Sequence, residues 1–180
     1  MGRRKGEMNM KKVLKFSGAC AAVLAIVAFI LMLATPAVIW KASLGGLGTL
    51  SSEVSGVVAI FGQPKTDSQG AINVTAGAVI AFVLILAAIL ILIAGVVLPI
   101  LKIRTLEKFA GVLNLVAVLA LVAGGILMFF EVLMYCGAQE VDVPDGTSLG
   151  AGWVIGGILA IVSGVVAILP AVFDFVGSKK

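Results

Sequence analysis

Between Ala76 and Leu101 the chain runs for 26 residues without one polar side chain. As a helix rising 1.5 Å per residue, such a run spans about 39 Å, more than the roughly 30 Å of bilayer hydrocarbon. In lipid every backbone N–H and C=O must be satisfied within the protein, so an isolated run of this kind has to be helical. Three more runs follow the same rule. Phe16 to Ala34 contains no charge, Phe109 to Tyr135 is apolar apart from Asn114 and Glu131, and Leu149 to Phe175 is almost wholly apolar. Since 61% of the 180 residues are hydrophobic and only 12% charged, a soluble domain is excluded. The expected fold is an all-α membrane protein, a four-transmembrane-helix bundle with a small extracellular β-sheet from its two outer loops.

The runs divide the chain into a basic cytoplasmic tail (1–15), helix 1 (16–40), extracellular loop 1 with short strands (41–75), helix 2 (76–101), a cytoplasmic link (102–108), helix 3 (109–135), extracellular loop 2 (136–148), helix 4 (149–175) and a cytoplasmic tail (176–180). Residues 1–12 lack apolar periodicity and read as an unordered tail. In the first loop the patch Val54 to Gly62 has the β-branched enrichment of a strand, and Ile72 and Val74 alternate with Asn73 and Thr75, which predicts a hairpin. Val141 and Val143 alternate with acids ahead of Pro144-Asp145-Gly146, so a third short strand is expected beside it. Orientation follows from charge. Eleven of the 13 Lys and Arg lie in the tails and the 102–108 link, on a side that holds 3 of the 9 acids once Asp174 at the inner end of helix 4 is included, which predicts cytoplasmic termini in a plasma membrane. Trp40, Tyr135 and Trp153 fall at the outer helix ends, as interfacial anchors.

Small residues mark where helices can approach. Gly152, Gly156, Ala160 and Gly164 recur every four residues and form one smooth stripe on helix 4. Ser17, Ala21 and Ala25 repeat that spacing on helix 1. Ala81, Ala88 and Gly95 recur every seven residues, as do Ala110, Ala117 and Gly124, the spacing of a left-handed antiparallel seam between helices 2 and 3. The short link between those helices requires them to be antiparallel neighbours.

Chemistry is sparse. With no His, the commonest general base, metal ligand and pH sensor are all missing. Cys20 and Cys136 fall at opposite membrane faces, out of disulfide reach. Glu140, Asp142 and Asp145 match no calcium loop, and no nucleophile stands beside a base. Neither an enzyme nor a cofactor or metal site is expected. Glu131 is the ionisable residue to weigh. It lies about 33 Å along helix 3 from Phe109, at the outer interface, and extends the Ala110, Ala117, Gly124 series by one step, pointing into the bundle. Lys41 is its expected partner, with a hydrogen bond to the cap and ligand or ion binding as the other readings. Asn114 is expected to hydrogen-bond to a neighbouring helix, and Ser163 to its own helix backbone.

Pro36 to Trp40 closing helix 1, and Ser148-Leu149-Gly150-Ala151-Gly152-Trp153 opening helix 4, resemble the corresponding helix ends of claudin-like proteins, whose four-span layout this is. The claudin first loop carries Gly-Leu-Trp and two cysteines, and Gly46-Leu47-Gly48 here has neither the Trp nor a cysteine. The chain also resembles small uncharacterised four-span membrane proteins of Gram-positive bacteria, a likeness that implies no activity. The bilayer is the certain partner class. Anionic lipid at the basic tail and a second copy or another membrane protein are further candidates; nucleic acid is not. The expected function is a non-enzymatic structural, interaction or accessory subunit that presents an extracellular cap, with a transporter or channel subunit acting as an oligomer as the alternative.

Overall fold

Pro36 decides where the first apolar run stops being a helix. Lacking an N–H, it cannot continue the ladder, and the residue before it is pushed out of helical geometry. Accordingly α1 (Gly2–Ala34) ends two residues earlier, with Thr35 Oγ1 donating to Leu31 O at 2.7 Å. The β-branched and aromatic residues that follow form β1 (Pro36–Ser43), where helix 1 was expected to run on to Trp40. A computed structural model describes residues 2–43, 48–66, 70–101 and 110–177. The expected lipid contacts of Arg3, Arg4, Lys5, Lys11, Lys12 and Lys15, the 102–108 link and the side chain of Ala110 lie outside what is described. The backbone from Gly2 onward is helical, so the unordered tail expected over 1–12 is corrected to an extension of α1.

After β1 come β2 (Thr49–Ser55), α2 (Gly56–Phe61), α3 (Ala76–Leu101), α4 (Ala110–Phe129), α5 (Glu131–Ala138), β3 (Thr147–Leu149) and α6 (Ala151–Gly177). The sheet is antiparallel in the order β2-β1-β3, with Ile39 opposite Glu53 and Ser148. Its strands are not those expected from propensity. Ser55 caps α2, its Oγ accepting from Val58 N at 3.3 Å, so the Val-rich patch turns helical and buries Ala59 and Ile60. Ile72 makes only an isolated bridge with Gln63, and Val141 and Val143 stay exposed outside the sheet. At Gly146 (φ 82°) the chain turns against β1; the Gly146 carbonyl accepts from Lys41 N at 3.2 Å, and a side chain there would overlap the Lys41 carbonyl.

Four helices are long and apolar enough to cross a membrane, over Phe16–Ala34, Ala76–Val97, Gly111–Phe129 and Ala151–Val172. Their outward faces carry exposed Val23, Ile30, Val83, Leu90, Leu119, Ile126, Ile158 and Val165, an apolar girdle that identifies a membrane protein. The third run does not stay one helix. Phe130 (φ −90°, ψ 3°) bonds back to Leu127 O at 3.1 Å, a tight turn that separates the spanning α4 from the short α5.

The bundle is a closed ring in which α6 and α3 each pack against both α1 and α4. At the α4–α6 crossing the backbones meet: a Cβ on Gly125 would stand 2.8 Å from Gly157 O, and one on Gly157 would stand 3.1 Å from Gly125 O. The anticipated stripe serves two neighbours. Gly156 faces Met128 of α4 and Ala28 of α1, Gly164 faces Val118 and Val122, Ala160 is fully buried, and Gly152 abuts Thr35. On α3 and α4, Ala81, Ala88 and Ala117 are fully buried, and Gly124 lies against Ile85 and the Ala81 carbonyl. Gly95 faces the Asn114 side chain, whose Oδ1 would be 3.1 Å from a Cβ there, so Asn114 does look across to a neighbouring helix. Ser163 differs from expectation: its hydroxyl donates to Ala21 O on α1 at 2.7 Å instead of bonding within α6.

Candidate functional site

Where the sheet meets the bundle, the helix break at Phe130 turns Glu131 inward as the first residue of α5. It lies beyond the spanning segment that ends at Phe129, and its side chain is 0% exposed. The elements around it are held by specific contacts. Asn73, just before α3, donates from Nδ2 to Ala138 O at 3.1 Å and from its backbone N to Gln139 Oε1 at 3.1 Å; Gln139 Nε2 returns a bond to Asn73 O at 3.0 Å. This clamp fixes the end of α5 against the start of α3, where Gly77 leaves room for Met134. Thr75, two residues before Gly77, is thereby brought beside Glu131, and it too is fully buried.

Neither group finds a partner. Both carboxyl oxygens of Glu131 and Oγ1 of Thr75 make no hydrogen bond, although buried polar atoms nearly always do. Thr75 stands in the cap position of α3: its carbonyl accepts from Val79 N at 3.1 Å, but its hydroxyl accepts nothing from the first turn. Burial pushes the Glu131 carboxyl up from 4.5 to about 8; the adjacent Thr75 hydroxyl pulls in the other direction without forming a well-shaped bond. On the same helix, burial also raises Tyr135, reinforced by Cys136 and then Glu131, and burial alone raises Cys136. The neighbouring elements α3, α4 and α6 bring no titratable side chain to this level.

Two indoles complete the layer. Trp40 of β1 packs on Tyr135 with ring centroids 5.6 Å apart, and its buried Nε1 has no partner. Because Gly156 faces Met128 and Gly157 faces Gly125, one turn toward the cap sets Trp153 level with Glu131. Trp153 is 0% exposed, its Nε1 also lacks a partner, and a Cβ on Gly56 would stand 3.0 Å from that nitrogen. These aromatic residues were expected as interfacial anchors. Instead Tyr135 and Trp153 are buried inside the junction, because the sheet and α2 cover them from outside.

The expected pair of Lys41 and Glu131 is not formed. Lys41 lies on the exposed half of β1, while Glu131 is enclosed and accepts no bond, so the pairing is corrected. Among the described residues, Glu131 is the one buried charged type, and no group of three or more His, Cys, Asp or Glu could hold a metal. Cys20 and Cys136 are free thiols. What the sequence did not reveal is Thr75, concealed as part of an apparent strand, and the Gly125–Gly157 crossing, for which the paired glycines at 124–125 and 156–157 are the only signal. Chemically, the layer holds three side-chain oxygens and two indole N–H donors that are buried without a well-formed hydrogen bond. No protein family, curated protein or solved structure matches the chain.

Proposed function

We propose that this is a non-enzymatic multi-pass protein of the plasma membrane, a structural, interaction or accessory subunit whose bundle holds the sheet outside the cell. One observation carries the reading. β2 is an edge strand with every residue except Val54 exposed, Leu50 at 62%, and among the described residues its outer edge pairs with no strand. An open strand edge is a ready template for strand addition by a second chain, and soluble folds usually cover or charge such an edge. Here Glu53 is the single charge along it.

The excess of Lys and Arg in the tails and link supports cytoplasmic termini and, with them, a cap outside the cell. Cys136 is buried and cannot report on sidedness; an exposed position must. Ser51→Cys in the edge strand is expected to react with a membrane-impermeant maleimide on intact cells, in a Cys20→Ser background. Labelling that appears only after the membrane is opened would reverse the orientation. In the same variant, a short bis-maleimide is expected to link the chain to a neighbour, and Leu50→Lys is expected to remove that product. A crosslink indifferent to Leu50→Lys would count against the edge as a contact surface. A transporter or channel subunit acting as an oligomer is the second reading, favoured by the enclosed carboxyl of Glu131.

A further inference from the structure

We infer that β2 pairs antiparallel with β2 of a second copy of this chain, Ser52 opposite Ser52, so that two caps join as one continuous sheet. The inference rests on the reading of β2 as a contact edge and names what meets it. Hydrogen-bond parity shows which groups the edge offers. Lys41 N donates to Gly146 O and Gly150 N donates to Ala37 O, so the odd-numbered residues of β1 bond toward β3. Backbone groups alternate sides along a strand, so Val38, Trp40 and Ala42 bond toward β2, opposite Val54, Ser52 and Leu50. The N–H and C=O groups of Thr49, Ser51 and Glu53 therefore point outward. Side chains alternate too. Val38 and Val54 are buried and Trp40 packs on Tyr135, so the even-numbered side chains face the helices, while Lys41, Ser51 and Glu53 are exposed on the other face.

A second copy fits this edge because both copies sit the same way up in one bilayer. The two-fold axis of an antiparallel strand pair stands perpendicular to the sheet, so both bundles hang from the same face and the contact closes at two chains. Outward groups must meet outward groups, which allows axes at Ser51, Ser52 or Glu53. At Glu53, like charges would stand directly opposite each other. At Ser51, Leu50 would face a serine. At Ser52, Leu50 lies opposite the partner's Val54, and the buried row of Val38 and Val54 continues into the partner's Leu50 and Ala42. That gives Leu50, 62% exposed in the single chain, an apolar neighbour. On the outer face the same register lines up Lys41, Ser51 and the partner's Glu53 in one row. The opposite charges then stand two strand spacings apart, about 9.5 Å between Cα atoms, within the joint reach of their side chains over the small Ser51. The two lysines also offset repulsion between the Glu53 carboxylates, which are diagonal to one another across the axis.

The test uses the full chain in native membranes, in a Cys20→Ser background, with single cysteines at 49, 51 or 52 and mild oxidation. Directly opposed residues of a non-bonded pair have Cα atoms about 4.5 Å apart, within disulfide range, whereas diagonal residues are about 7–8 Å apart, beyond it. Ser52→Cys is expected to give a disulfide dimer of twice the chain mass, with about tenfold less from Ser51→Cys or Thr49→Cys. Adding Lys41→Glu to Ser52→Cys is expected to cut the dimer severalfold, and further adding Glu53→Lys to restore it. A disulfide that peaks at 49 or 51, or a yield indifferent to both charge changes, overturns the inference. So does a bis-maleimide product of Ser51→Cys that contains a different protein; the edge would then still be a contact surface. No product of any kind would sink both readings.

Discussion

At the scale of single residues, the instructive group is a carboxyl enclosed without a partner. Because burial raises the folded-state value from 4.5 to about 8, the folded chain keeps a proton that the unfolded chain gives up. The unfolded state therefore binds fewer protons across that window, and stability falls as pH rises through it. The wild type is expected to be most stable below about pH 4.5 and to lose about 4 kcal/mol by pH 8. Glu131→Gln is expected to flatten this dependence; chemical unfolding in detergent at several pH values measures it, and parallel curves for the two proteins would contradict it. Ser163 makes a smaller claim. Removing its bond to Ala21 with Ser163→Ala is expected to cost about 0.6 kcal/mol, since hydrogen bonds between membrane helices are individually weak. Glu131 itself stood out in the sequence as an ionisable residue inside an apolar run. Its neighbour did not: Thr75 lies beside it where the Asn73–Gln139 clamp joins segments 66 residues apart, and no local pattern encodes such a meeting.

Secondary elements show where propensity yields to context. All four spans were legible because an uncharged run of that length in lipid has one backbone solution. The strands were not. Val54 to Gly62 has strand composition, yet Ser55 supplies a cap and the bundle a surface on which Ala59 and Ile60 can be buried, so six of those residues end in α2. Pro36 was read as the close of a helix still reaching Trp40, whereas it opens the central strand. Helix seams were legible in kind and only partly in place. The four-residue spacing on α6 pointed to close approach, while the closest approach to the α4 backbone is made one residue along at Gly157. Gly157→Leu is therefore expected to destabilise the bundle by about 1–3 kcal/mol or more through overpacking against Gly125. Gly137→Ala, with open space around it, is expected to be neutral or slightly stabilising. Unfolding midpoints of the two variants distinguish them, and equal effects would mean that the α4–α6 crossing is not close.

For the whole molecule, the ring order of helices is the property to test. Cysteines at positions 21 and 163 are expected to join through a disulfide or a short crosslinker, because the Ser163 hydroxyl already reaches the Ala21 carbonyl at 2.7 Å. A pair at 21 and 119 should not join within one chain, since Leu119 is 63% exposed on the outer face of α4. Mobility of the crosslinked monomer on a denaturing gel reads both, and the reverse pattern would reorder the bundle. The way the sheet is attached has a mechanical consequence. One residue, Thr35, separates β1 from α1, and one residue, Gly150, separates β3 from α6, with Gly150 N bonded to Ala37 O at 3.0 Å. No slack joins cap to bundle at either point. A load applied to the sheet edge is thus delivered to two adjacent spanning rods as tilt, so an event outside the hydrocarbon changes the angle of helices within it.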